Sequence, residues 1–282
     1  MSKAAPYADA LEHWKRMHSA VEAADSLNPK VRDEDPWRRR AARFDRVSRR
    51  RRGADPSLQA LLAHVDSGDV VVDVGAGTGR HAVSLAGHCA RVLAVEPSPA
   101  MRARLEARIQ DEQVTNIAVI PAPWPAAGPL ACDVAFSSHV LYGVTDVVPF
   151  LETMTRSARR QCVLLLGLRA PADAIKTLWR IVHGRERPER PAAIEALDVL
   201  HHLGYAASLH VLSATEYPVE FDDSAGDLIE LCHRLGIRAD DSGRERVRTA
   251  LGDFRSPDAD GRYLLGTTAP LALVVWPGAH GR

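Results

Sequence analysis

The stretch VVVDVGAGTGRHAVSLA, Val70 to Ala86, constrains this chain more than any other. Its valine run reads as a strand buried on both faces, the setting of a central parallel strand. Glycines at 75, 77 and 79 interrupt the run, and a short apolar helix follows. In open α/β sheets such a turn lies at the carboxyl edge of the strands, where ligands bind.

The residues after it repeat the pattern. RVLAVE reads as a second strand ending at Glu96, and SPAMRARLEARIQ as a helix capped by Ser98 with Pro99 just inside it. NIAVIP, CDVAFSS and QCVLLLGL read as further strands, with a helix through VVPFLETMTRSA between the last two and Asp146 at its cap. Alternating strands and helices with short links predict an α/β, doubly wound, mostly parallel sheet.

Regularity falls after Leu168. PADAIKTLWRIVH and PAAIEALDVLHHLG read as helices joined by the charged loop GRERPERP. ASLHVLS is a sixth strand and TTAPLALVVWPG a closing one, with AGDLIELCHRLGI and GRERVRTALGDF as helices inserted between them. Ahead of the sheet, residues 1–56 form an N-terminal helical extension or lid. There Asp35 and Pro36 open a helix running to Gly53, with Trp37, Ala41 and Phe44 on one apolar stripe. Asp55-Pro56 opens a second, short helix. The main domain is expected over 57–282, with a cofactor core at 69–168 and helical insertions at about 171–204 and 222–256.

Bulk properties remove several classes. The formal net charge is zero, so no global field draws the chain to nucleic acid or membrane. Cys89, Cys132, Cys162 and Cys232 are far apart, with no CxxC pair, and read as buried thiols rather than a zinc or disulfide framework. No apolar run approaches the roughly 18 residues needed for a membrane span. The opening residues lack the apolar core of a signal peptide, which points to a cytoplasmic protein.

Two phosphate-binding readings of the glycine loop fail on particular residues. The dinucleotide pattern G-x-G-x-x-G requires glycine where Arg80 stands, and no Lys-Ser or Lys-Thr follows to make a P-loop. What remains is a ligand that approaches the backbone closely without a cradled phosphate. Asp73 suits a cationic group. Glu96 suits both hydroxyls of a ribose. An ammonium plus a ribose diol without phosphate describes S-adenosylmethionine.

VVDVGAGTGR, VLAVEPSPAM, CDVAFSSHVLY and the unit through VLLLGL resemble the class I S-adenosylmethionine-dependent methyltransferases, over roughly Asp69 to Leu168. The resemblance implies a seven-stranded sheet and S-adenosylmethionine as cofactor, with S-adenosylhomocysteine as product. It implies that Gly75, Ala76, Gly77 and Gly79 meet the methionine part, with Asp73 near its ammonium and Glu96 on the ribose. Pro97 and Met101 would lie toward the adenine, Ser137 and Ser138 along the reactive side, and His81 at the methionine end. The family's aspartate after the third strand is missing from VIPAPWPAAG, where Trp124 is the residue positioned to cover the adenine instead.

For the transfer itself, His139 and Tyr142 follow the fourth strand at the ligand edge and are the candidates for a general base. The [DNS]-P-P-[YFW] signature of amino-methylating nucleic-acid enzymes reads SSHV here, and no Pro-Cys nucleophile occurs. Asp146 is the single carboxylate near that strand end, so no metal is expected. These features favour O- or N-methylation of a small molecule. The arginines between Arg38 and Arg52 leave RNA as an alternative acceptor, and a non-catalytic regulatory protein binding the same cofactor is another. The oligomeric state is open, a homodimer included.

Overall fold

The computed structural model describes residues 9–26, 35, 37, 38, 40–50, 55–170, 173–215, 219–221, 224–254, 263–265 and 270–279. Strands β1 (Val70–Val74), β2 (Arg91–Val95), β3 (Ile117–Ile120), β4 (Cys132–Ser138), β5 (Ala158–Gly167), β6 (Ser208–Thr215) and β9 (Pro270–Pro277) form one seven-stranded sheet. Its order is β3-β2-β1-β4-β5-β9-β6. Pairings from β3 through β5 are parallel, and β9 runs antiparallel to both neighbours. The order reverses between β1 and β4, which places the glycine loop at the switch point where doubly wound sheets bind ligands.

Successive residues of a strand face opposite sides, so the central strands feed two cores. Val72, Ala135, Leu164 and Leu166 pack with Phe150 and Met154 of α6 (Val147–Ser157), Val199 of α8 (Ala193–His202) and Trp14 of α1 (Ala10–Ser26). Val71, Val134, Phe136 and Leu165 pack with Leu61 of α3 (Pro56–Leu62), Leu85 of α4 (Ala82–Ala86) and Leu105 of α5 (Pro99–Asp111). All four cysteines are free and buried.

A third core lies apart from the sheet. Trp179 and Leu178 of α7 (Asp173–His183) pack with Leu228 and Leu231 of α9 (Ala225–Arg234) and Val247 and Leu251 of α10 (Asp241–Phe254). Phe221, from a two-stranded ribbon of β7 (Val219–Phe221) and β8 (Tyr263–Leu265), joins them, as does Ala24 near the end of α1. Sequence periodicity expected α7 and α8 as one insertion. Instead α8 covers the sheet and only α7 joins the helical cap. The ribbon was not expected, because strands of three residues carry no readable alternation.

The N-terminal helix also differs. Asp35 Oδ1 accepts the Trp37 N–H at 3.0 Å, but only turns follow, and helix α2 runs from Ala41 to Arg50. Pro36 and Gly53 lie outside the described residues. The other oxygen of Asp35 accepts from Ser98 Oγ at 2.9 Å and Ala100 N–H at 3.2 Å, so it joins Ser98 in capping α5. Among the described residues no helix is long and apolar enough to cross a membrane.

Candidate functional site

The glycine loop is held by its own backbone. Gly75, Gly77 and Gly79 take φ of 77°, 58° and 82°, the left-handed region that costs other residues energy. Gly75 N–H and Ala76 N–H both donate to the Val95 carbonyl, at 2.8 and 3.0 Å. A Cβ on Gly75 would stand 2.4 Å from Val140 Cγ2, and one on Gly79 would stand 2.6 Å from Leu105 Cδ1. At Gly77 the nearest atom would be Phe44 Cε1, at 3.8 Å. Two glycines are therefore tightly packed by protein, and the middle one meets only the Phe44 ring of α2, at ordinary contact distance.

Glu96 closes the loop from the end of β2. Its Oε2 accepts Gly77 N–H at 2.8 Å and its Oε1 accepts Ser98 N–H at 2.8 Å. Each carboxylate oxygen keeps acceptor capacity for a ligand hydroxyl. Burial pushes the Glu96 carboxyl above its ordinary value, against the pull of those N–H groups. Asp73 is 2% exposed; burial first and the Glu96 charge second push it up to about 7, while the Ala82 N–H works the other way. It therefore looks into the start of α4, prepared to gain from a cation.

His81 precedes α4 and is buried edge-on to Phe136, with ring centroids 5.2 Å apart. Burial and then the Arg80 charge drive it down to about 3. Asp55 holds Arg80 at 2.8 Å, and its carboxylate lies 3.9 Å from His81 Nε2. Pro97 is exposed, and its carbonyl accepts from Arg102 at 2.7 Å. Met101 is buried, its N–H bonded to Ser98 Oγ.

Ser137 and Ser138 divide. Ser137 Oγ donates to the Val74 carbonyl at 2.9 Å, a lock between β4 and β1, whereas Ser138 Oγ is buried with no partner among the described residues. Thr78 Oγ1 in the loop is likewise unpartnered. Trp124 donates its indole N–H to the Phe150 carbonyl at 3.1 Å and packs edge-on to that ring. The tryptophan is thus anchored to α6, and this direction has no signal in the surrounding sequence.

His139 follows β4 at φ 57°, an uncommon conformation outside glycine. Its N–H donates to the Leu165 carbonyl at 2.9 Å, and Nδ1 lies 3.2 Å from Tyr142 Oη. Tyr142 Oη also accepts Gly167 N–H at 2.6 Å. Strands β4 and β5 thereby hold the histidine and tyrosine together beside the loop.

Sequence reasoning missed the role of the N-terminal arginines. Arg40 pairs with Glu230 at 3.0 Å, Arg43 with Asp227 at 3.3 Å, and Arg49 with Asp45 at 3.1 Å. The first two tie the start of α2 to α9 of the cap, and the third lies within α2. The side chains of Arg39 and Arg50 to Arg52 lie outside the described residues. Among the described residues no three His, Cys, Asp or Glu side chains cluster as metal ligands.

Residues 72–166, from β1 through β5, match the model of a methyltransferase domain. No curated protein matches the sequence. Among solved structures the chain resembles the YcgJ protein of Bacillus subtilis, with 15% identity, TM-score 0.53, and 79% of this chain and 97% of that one covered. A candidate methyltransferase of Bacillus halodurans gives 14% identity, TM-score 0.53, and coverage of 80% and 99%. A chain from the complex between a Haloferax volcanii methyltransferase activator and a candidate methyltransferase gives 18% identity, TM-score 0.54, and coverage of 89% and 100%. The chain therefore carries the class I methyltransferase fold, and residues 72–166 resemble a methyltransferase domain.

Proposed function

We propose that this chain transfers a methyl group from S-adenosylmethionine to an oxygen or nitrogen of a small molecule. The observation that carries the reading is Glu96, whose two oxygens already hold Gly77 N–H and Ser98 N–H on either side of the space that a ribose would enter. The residues fit the cofactor on three counts. A Cβ on the middle glycine would meet only Phe44, Thr78 and Ser138 hydroxyls are buried without partners among the described residues, and Asp73 is a buried carboxyl that a cation would stabilise.

In this reading Asp73 faces the ammonium and Glu96 the ribose. The backbone of Gly75, Ala76, Gly77 and Gly79 meets the methionine part, with His81, Ser137 and Ser138 at that end. Pro97, Met101 and Trp124 lie on the adenine side. When bound, S-adenosylmethionine supplies a methyl group on a sulfonium, which an acceptor lone pair takes as the C–S electron pair returns to sulfur, leaving S-adenosylhomocysteine. The chain's own contribution is then orientation and removal of the acceptor's proton. Tyr142 Oη, already accepting from Gly167, has a second lone pair for His139 Nδ1–H. That tautomer leaves His139 Nε2 as the basic nitrogen.

The pairing of Arg40 and Arg43 with Glu230 and Asp227 of the cap supports a small-molecule acceptor over RNA. Incubation with methyl-labelled S-adenosylmethionine and separate metabolite and RNA pools tests the choice. Label is expected in the metabolite fraction. Label in RNA alone would reassign the acceptor, and cofactor binding without label in either pool would support the non-catalytic reading. A cytoplasmic site of action is part of the same proposal.

A further inference from the structure

Beside Tyr142, two guanidiniums and one carboxylate meet among the described residues. Arg190 Nη1 donates to the Tyr142 carbonyl at 3.2 Å, and its Nη2 stands 3.7 Å from Asp25 Oδ2. Arg187 Nη2 stands 3.6 Å from Asp25 Oδ1. One carboxylate thus faces two guanidiniums, and neither separation is a hydrogen bond. Arg187 is not a surface residue. Its side chain is 11% exposed, and its guanidinium lies 4.8 Å over the Trp179 ring.

Further arginines stand in the cap. Arg43 and Arg234 both stack on Phe221, with guanidinium carbons 3.9 and 5.4 Å from the ring centroid. Glu230 serves Arg40 and Arg234, and Asp227 serves Arg43. Burial, and then the charges of Arg190 and Arg234, lower the Arg187 value, while Asp25 opposes them. A buried guanidinium without full compensation is expensive.

Two buried polar atoms nearby also lack hydrogen-bond partners among the described residues. Trp179 Nε1 is a donor only, and it has no partner among the described residues. His18 Nε2, on α1 beside Arg190, has none either. Both residues are at most 2% exposed. The cluster is also continuous with the chemistry: Arg190 holds the carbonyl of Tyr142, whose hydroxyl holds His139.

We infer that Arg187 and Arg190 form a binding site for an oxyanion, a carboxylate or a phosphate, carried by the methyl acceptor. The planar fork of arginine suits both groups. The inference rests on the methyltransferase reading and names its substrate class. Asp25 then keeps the two arginines poised and yields to the incoming anion.

The test is thermal stabilisation of the full chain by benzoate, phenyl phosphate and neutral benzamide at constant ionic strength, with binding of S-adenosylhomocysteine measured in parallel. An anion that binds the folded state raises Tm in a saturable way. Saturable stabilisation by benzoate or phenyl phosphate but not benzamide is expected, and the stronger of the two anions names the group recognised. Arg187→Gln and Arg190→Gln should abolish the shift while leaving S-adenosylhomocysteine binding intact. Asp25→Asn removes the competing carboxylate and should lower the half-saturating anion concentration by about fivefold, the scale of a loose ion pair. It keeps the test decisive if an arginine variant fails to fold. No anion response in the wild type, or an equal response in the arginine variants, overturns the inference. A wild type that fails to bind S-adenosylhomocysteine overturns the methyltransferase reading instead.

Discussion

Phe44 Cε1 lies 3.8 Å from the point where a side chain on Gly77 would begin. A helix from the N-terminal extension therefore rests on the glycine loop of the sheet. Trp37 packs edge-on to Phe44 with centroids 5.8 Å apart, yet the two remain 39% and 40% exposed. Large apolar groups left open beside a loop of this kind are poised to be covered by a ligand.

Cofactor binding should therefore alter Trp37 fluorescence. The chain has five tryptophans, so Trp37→Phe is the control that assigns the signal. Phe44→Ala should weaken S-adenosylhomocysteine by about tenfold, or about 1.4 kcal/mol. An unchanged spectrum together with an unchanged affinity would remove α2 from the site.

Gly75 and Gly77 should respond differently to alanine. Both would suffer the left-handed penalty of about 1–2 kcal/mol. At Gly75 the new methyl also meets Val140 Cγ2 at 2.4 Å, whereas at Gly77 it meets only Phe44. Urea unfolding should rank Gly75→Ala as the more destabilised, with Val140→Ala restoring part of the loss. Equal losses would show that Val140 yields freely.

His139→Asn separates chemistry from backbone strain. Asparagine tolerates the left-handed conformation that His139 adopts at φ 57°. Turnover should fall by about 10²-fold or more, while the fold and cofactor affinity persist. Tyr142→Phe removes the partner at 3.2 Å and should shift the pH profile of turnover with a smaller loss in rate. Full turnover in His139→Asn would remove the base.

Asp73 gives a signed pH dependence. Its folded value of about 7 exceeds that of the unfolded chain, so the folded state holds the proton more tightly. The stabilisation is complete below about pH 4, the unfolded value, and is lost as pH rises toward 7. His81 runs oppositely: driven down to about 3, it contributes above 6.5 and loses that contribution as pH falls. The difference between wild type and Asp73→Asn isolates the first. Without ligand, the variant should gain on the wild type as pH rises between these limits. A difference independent of pH would contradict the burial of this carboxyl.

Much of the sheet from β1 to β5 was legible because its signals are local. Ser98 and Pro99 announced α5, and Gly75, Gly77 and Gly79 announced the turn. Periodicity also found α7, α9 and α10, yet it did not show that α7 leaves the sheet to join the others. The start of α2 was misplaced because Asp35 spends one oxygen on α5, far along the chain. The arginine run left RNA as an alternative, since its partners Asp227 and Glu230 lie in a distant insertion. Trp124 and Arg187 share that difficulty: what they touch is set by tertiary packing.

The central claim is that Glu96 and the glycine loop bind the adenosyl cofactor. Calorimetric titration of S-adenosylhomocysteine into the wild type and Glu96→Ala tests it most directly. A single saturable site is predicted in the wild type, with affinity reduced by at least about tenfold in the variant, or about 1.4 kcal/mol. No binding heat in a folded wild type at any titrated concentration and temperature, or equal affinity in Glu96→Ala, would contradict the account.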